Sequence, residues 1–136
     1  MLSDYDYMKR CEVLATEAAE EGNAPVGALI VKRGEVVCEA REAANTKNDI
    51  TCHAEIEAIR LAVKQLHTRD LSDCTLYTTH EPCIMCAYSI RFYKISKVVY
   101  QHPVAYLGGI TSSMPLLTSD IVPPHWGKAP EVVRLK

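Results

Sequence analysis

Apolar residues recur along this chain with two periods, and the switches between them divide it into elements. Over 4–21 the stripe Tyr7, Cys11, Leu14, Ala15 and Ala18 has helical spacing, and Gly22 ends it. Beyond Pro25, 26–31 is a continuous apolar run and 36–40 a shorter one. Lys32-Arg33-Gly34-Glu35 lies between them as a hairpin turn. Residues 41–51 are polar and loop-like. Helical spacing returns over 52–66 with Ile56, Ile59, Ala62 and Val63, and Thr51 is the expected N-cap. A Thr/Tyr/Leu-rich strand over 75–79 is expected to be central in its sheet. Pro82 stands where a helix can begin, and Ile84, Ala87, Ile90 and Arg91 give 83–92 helical offsets. Residues 97–100 form another short strand. Residues 103–130 hold five prolines and three glycines, with periodicity only for a short helix near 112–119, and 131–135 form a last edge strand.

A hairpin followed by β-α-β units predicts a three-layer α/β/α sandwich: a mixed five-stranded sheet with helices on both faces. The length of 136 residues fits one domain over 1–136, and 48% hydrophobic content is enough for a core. The net charge of −2 gives no strong basic field for nucleic acid. No apolar run reaches the ~18 residues of a membrane span. The N-terminus lacks a basic-then-apolar leader pattern, so a cytoplasmic protein is expected and a disulfide framework is not. Of six cysteines, 11, 38, 52 and 74 lie in apolar segments and read as small buried hydrophobes.

Two polar features interrupt the helical faces. His53-Ala54-Glu55 opens one helix, and Pro82-Cys83-Ile84-Met85-Cys86 opens the next. Alone, His53 reads as a satisfied polar residue, Glu55 as a first-turn carboxylate facing the helix dipole, and Cys-x-x-Cys as a redox or structural-zinc pair. Together they offer His53, Cys83 and Cys86 as three ligands suited to Zn²⁺, with Cys83 and Cys86 at i and i+3. Three protein ligands leave a fourth position for water or hydroxide, which zinc acidifies towards pKa ~7. Glu55 stands two residues from His53, placed to move protons there without ligating.

His-x-Glu and Pro-Cys-x-x-Cys in this order resemble the cytidine deaminase-like superfamily of zinc nucleobase and nucleoside deaminases. The likeness is carried by APVGALIV (24–31), NDITCHAEIEAIR (48–60), CTLYTTHEPCIMCAYSI (74–90) and ISKVVY (95–100). It is similar to the branch holding guanine deaminase, tRNA adenosine deaminases and yeast-type cytosine deaminase. The resemblance implies one zinc per subunit on His53, Cys83 and Cys86, with Glu55 as proton shuttle. Backbone N–H groups near Ala54 and Cys83 would lie close to the substrate. The implied reaction is hydrolytic, with zinc hydroxide adding to the amino-bearing ring carbon and ammonia leaving.

Two departures bear on substrate. That branch carries an asparagine ahead of His-x-Glu that bonds the base. Ungapped alignment puts Glu42 there, whereas Asn45 serves only if the loop is shortened. The tail from 101 on is Pro-rich and carries only Lys128, Arg134 and Lys136 as cations beside Asp120 and Glu131, a poor phosphate-binding surface. His102, Tyr106, His125 and Trp126 are instead candidates to line or lid a small pocket, with Trp126 as a stacking ring or a plug in a hydrophobic groove. The basic run 91–97 is expected on a solvated face or dimer rim. A helix face bearing Met85, Tyr88, Ser89 and Phe92 fits a homodimer. A small base or nucleoside is therefore expected as substrate, an amino-purine such as guanine slightly preferred. A tRNA wobble adenosine is the alternative.

Overall fold

The computed structural model describes all 136 residues. Helix α1 (Asp4–Glu20) starts at Ser3, whose side chain and that of Asp6 cap each other's backbone N–H reciprocally. It ends as Gly22 takes φ +92°. Strands β1 (Gly27–Lys32) and β2 (Glu35–Arg41) form the expected hairpin. A four-residue helix α2 (Ala44–Lys47) lies in the segment read as loop. Helix α3 (Ala54–Leu66), β3 (Cys74–His80), α4 (Ile84–Phe92), β4 (Lys97–His102) and β5 (Glu131–Arg134) follow.

The sheet order is β2-β1-β3-β4-β5. β1 is antiparallel to β2 and β3, while β3-β4 and β4-β5 are parallel, so the sheet is mixed and β3 is its centre. Alternate strand residues serve opposite cores. Ala28, Ile30, Leu76 and Val98 pack with Ala58, Ile59 and Ile90 of α3 and α4. Leu29, Val31, Tyr77 and Val99 pack with Tyr7, Met8 and Cys11 of α1. These are the three expected layers. At Gly27 a Cβ would run into the Cys11 carbonyl, so only glycine lets α1 approach β1 this closely. Cys11, Cys38, Cys52 and Cys74 are buried and free, as expected.

Three local expectations are corrected. Thr51 is not the cap of α3. Its hydroxyl donates to Asp49 Oδ1 at 2.7 Å, and the helix begins three residues later with His53 as N-cap. No helix forms over 112–119. Pro115 interrupts it, and the carbonyls of Leu116, Leu117 and Ser119 all accept from Arg91 Nη1, at 2.9, 3.2 and 2.9 Å. The basic run 91–97 is not a uniformly solvated face, because Arg91 and Ile95 are only 2% exposed. Burial pushes the Arg91 guanidinium below its usual range, and the three carbonyls hold it in place.

Candidate functional site

α3 and α4 both start at the carboxyl-terminal side of the sheet, after irregular turns. His53 and Cys83 are their N-cap residues, both with extended backbone (φ −66°, ψ 153° and φ −72°, ψ 176°). Neither side chain makes an N-cap hydrogen bond, and both turn toward a common point. Cys86 follows in the first turn of α4. Cys83 Sγ and Cys86 Sγ lie 3.5 and 3.6 Å from His53 Nδ1. All three ligand atoms fall within 4.8 Å of one another.

These separations fit zinc. Bonds of about 2.3 Å to sulfur and 2.0–2.1 Å to nitrogen at a tetrahedral angle place sulfur about 3.5–3.6 Å from nitrogen. Without a metal, protons hold the cluster together. The Cys86 thiol and the His53 ring pull Cys83 down to about 4 against the effect of burial. The same thiolate raises Cys86 well above its ordinary value, and burial adds to this. Cys83 beside it lifts His53 to about 9. A divalent cation replaces those protons.

Glu55, two residues beyond His53, points inward and is 4% exposed. Burial pushes its carboxyl up to about 7, and the neighbouring Cys83 adds to the rise. Glu57 lies outside and pairs instead with Lys47 at 2.6 Å and Arg60 at 2.7 Å. Ala54 is fully buried in the uncapped first turn of α3.

Glu42 is 6% exposed, and burial raises its carboxyl while the His53 charge opposes that rise. Asn45 does not join the cluster. It is exposed on α2, and its amide donates to the Gly22 carbonyl at 2.9 Å, at the end of α1. Asn23 holds α2 there, taking the N–H groups of Asn45 and Thr46 at 3.0 and 3.1 Å. Trp126 is no lid. It is 3% exposed, meets Tyr88 edge-on at 4.8 Å and lies 5.9 Å from the Arg91 guanidinium, a plug along α4.

Glu81 is a supporting residue that the sequence reading missed. It is 2% exposed and accepts four hydrogen bonds. Val104 N and Thr111 Oγ1 reach Oε1 at 3.2 and 2.7 Å, and Ile110 N and Thr111 N reach Oε2 at 2.9 and 2.7 Å. The loop it gathers runs alongside the ligand turn. Gly109 N donates to Pro82 O at 2.7 Å, Ile84 N donates to Leu107 O at 3.0 Å, and Gly108 bridges to Cys83. Any Cβ at Gly108 would overlap the Glu81 carboxylate. The only local signal was an acidic residue ahead of Pro-Cys, because its partners lie 23 to 30 residues on.

A three-ligand set suited to zinc with a buried carboxylate beside it, on a mixed sheet between helical layers, is the arrangement of a zinc-dependent hydrolytic deaminase. The comparisons agree. The chain belongs to the cytidine and deoxycytidylate deaminase family, whose zinc-binding region matches residues 1–102. It is 42% identical over 103 residues to the tRNA-specific adenosine deaminase of Aquifex aeolicus, covering 76% of this chain and 68% of that one. It is 41% identical over 110 residues to the guanine deaminase of Bacillus subtilis, covering 79% and 70%. A solved structure from a study of A-to-I editing by tRNA:A34 deaminases at the wobble position superposes with a TM-score of 0.84 at 34% identity. That match covers 94% of this chain and 95% of the other. No helix is long and apolar enough to cross a membrane.

Proposed function

We propose that the protein deaminates a small nucleobase or nucleoside, with an amino-purine such as guanine preferred, and that Glu55 carries the proton. The observation that carries the small-molecule reading is the burial of Arg91. It removes the leading cation of the 91–97 run, where Lys94 and Lys97 remain, and the tail from 101 on adds only Lys128, Arg134 and Lys136. Contact with several RNA phosphates needs a denser basic surface.

Held by His53, Cys83 and Cys86, zinc acidifies water and so supplies the nucleophile at neutral pH. Glu55 takes the proton released as the nucleophile forms and delivers it to the ring nitrogen beside the reacting carbon. A second transfer through Glu55 carries the added hydroxyl's proton to the amino nitrogen; the C–N bond breaks, ammonia leaves and a ring carbonyl remains. Its raised pKa suits both directions of transfer near neutrality. The unpaired first-turn N–H groups of α3, with Ala54 at its start, offer donors to the substrate.

Ammonia release from a panel of bases and nucleosides, assayed with zinc-loaded protein, tests this reading; no turnover of any member contradicts it. The second reading, a tRNA wobble adenosine deaminase, is favoured by the near full-length match to the A-to-I editing structure. It requires inosine at the wobble position of a tRNA anticodon loop and RNA binding that weakens steeply with salt.

A homodimer is part of the proposal. Tyr88 is 52% exposed on α4, beside a groove of about 540 Å³ walled by Ile84, Met85, Met114 and Leu116. Sedimentation at a single-chain mass would contradict it.

A further inference from the structure

We propose that a second metal site lies beside α1 at the carboxyl ends of β3 and β4, where His80, His102 and the side-chain oxygen of Gln101 hold a divalent transition-metal ion. The site is separate from His53, Cys83 and Cys86, and it goes beyond the deaminase reading.

β3 and β4 are parallel, and their last residues, His80 and His102, stand opposite each other in register. Both line a cavity of about 430 Å³, walled on α1 by Glu12 and Ala15, and none of the three zinc ligands borders it. The two rings lie 5.2 Å apart between centres and are tilted by 48°. Metal–nitrogen bonds of about 2.0–2.1 Å set an imidazole centre about 3.2 Å from the ion, and a tetrahedral angle then separates two centres by about 5.2 Å. Thr79 Oγ1 lies 2.9 Å from His80 Nδ1 and accepts from Gly27 N at 3.2 Å. A hydroxyl on Nδ1 fixes the ring and leaves Nε2 as the ligand atom, the usual arrangement of a ligating histidine. His102 is exposed at the rim, where an ion can enter.

Gln101 lines the same cavity, and its Oε1 is buried with no hydrogen-bond partner. A buried acceptor without a donor is unfavourable and calls for a cation or a donor beside it. The last torsion of a glutamine is broad, so this oxygen can turn to the cavity its residue already borders. Packing alone explains two adjacent rings but not an acceptor left open next to them. Burial, and after it His102, pushes His80 below its usual range, which keeps its ring in the neutral form that ligates. Two imidazoles and an amide oxygen, with the Glu12 carboxylate across the cavity, form a nitrogen-rich set. Such a set suits Zn²⁺ or Ni²⁺, whereas Ca²⁺ and Mg²⁺ require oxygen ligands.

The test starts from chelator-stripped protein reloaded with one zinc per chain, which the thiolate-bearing cluster takes first. Ni²⁺ is then titrated in by calorimetry at neutral pH, and bound zinc is counted afterwards. The expected result is one Ni²⁺ per chain with the zinc retained. In the wild-type protein the paramagnetic ion should broaden the ring NMR signals of His80 and His102 before those of His67 and His125. His102→Leu, at an exposed position, should weaken Ni²⁺ binding at least about tenfold, and Gln101→Leu at least about threefold. No binding up to about 1 mM Ni²⁺ overturns the proposal. So does broadening centred on His67 or His125, release of zinc as Ni²⁺ binds, or an affinity that either substitution leaves unchanged. Ammonia release without a second ion overturns this site and leaves the deaminase reading standing, and a second ion without turnover does the reverse.

Discussion

The chain divides at residue 102 into two regions that are ordered by different means. Up to 102 the structure is regular: a hairpin, two helices with a ligand at each N-cap, and strands whose alternate faces feed two cores. Beyond 102 there is one 3₁₀ turn and one edge strand. Single buried charges hold that second region to the first. Glu81 gathers the N–H groups of 104–111, and Arg91 gathers the carbonyls of 116–119. The first region contains the chemistry, and the second wraps the ligand helix from outside. Regular structure satisfies its own backbone. An irregular segment packed on a core must borrow donors and acceptors from side chains, and here it borrows charged ones.

Substitutions in the two regions should therefore fail differently. The largest effect belongs to Glu55→Gln, expected to lower kcat by about 10²–10⁴-fold while leaving zinc content and folding unchanged. Ammonia release alongside metal analysis checks it, and a variant at wild-type rate would remove Glu55 from the proton path. Arg91→Ala, which strips three carbonyls of their donor, should cost about 3 kcal/mol of stability in urea unfolding. It should leave KM close to wild type in whatever fraction stays folded. Glu81→Gln sets an amide NH₂ against incoming N–H groups and loosens the loop beside Cys83. Zinc affinity should fall by about tenfold in competition with a chelator. Smallest is Trp126→Phe. A plug predicts about 1–2 kcal/mol of lost stability with kcat/KM within twofold of wild type, whereas a lid predicts the reverse.

The same division explains what the sequence disclosed. His53 with Glu55, and Cys83 with Cys86, are spaced within a helical turn, so each pair is legible locally, and the intervening strand brings the pairs together. The strands were legible from alternation and apolar runs. The true N-cap of α3 was not, because Asp49 claims the Thr51 hydroxyl that would otherwise cap it. Glu81 and Arg91 look like ordinary surface charges until their partners, 23 to 30 residues on, are in place. The helix expected near 112–119 fails at Pro115, and the carbonyls of 116, 117 and 119 turn to Arg91 instead. That Asn45 lies on the surface was not legible either, because the contact of α2 with Asn23 that holds it there spans 22 to 23 residues.

The central claim is that the meeting of two helix caps builds a zinc site whose metal drives hydrolysis. Its most direct test is to titrate zinc into chelator-stripped protein while following ammonia release from guanine and the rest of the base and nucleoside panel. The account predicts activity that rises in proportion to zinc and saturates at one ion per chain. Full turnover by the stripped protein, or one bound zinc with no ammonia from any substrate, would contradict it.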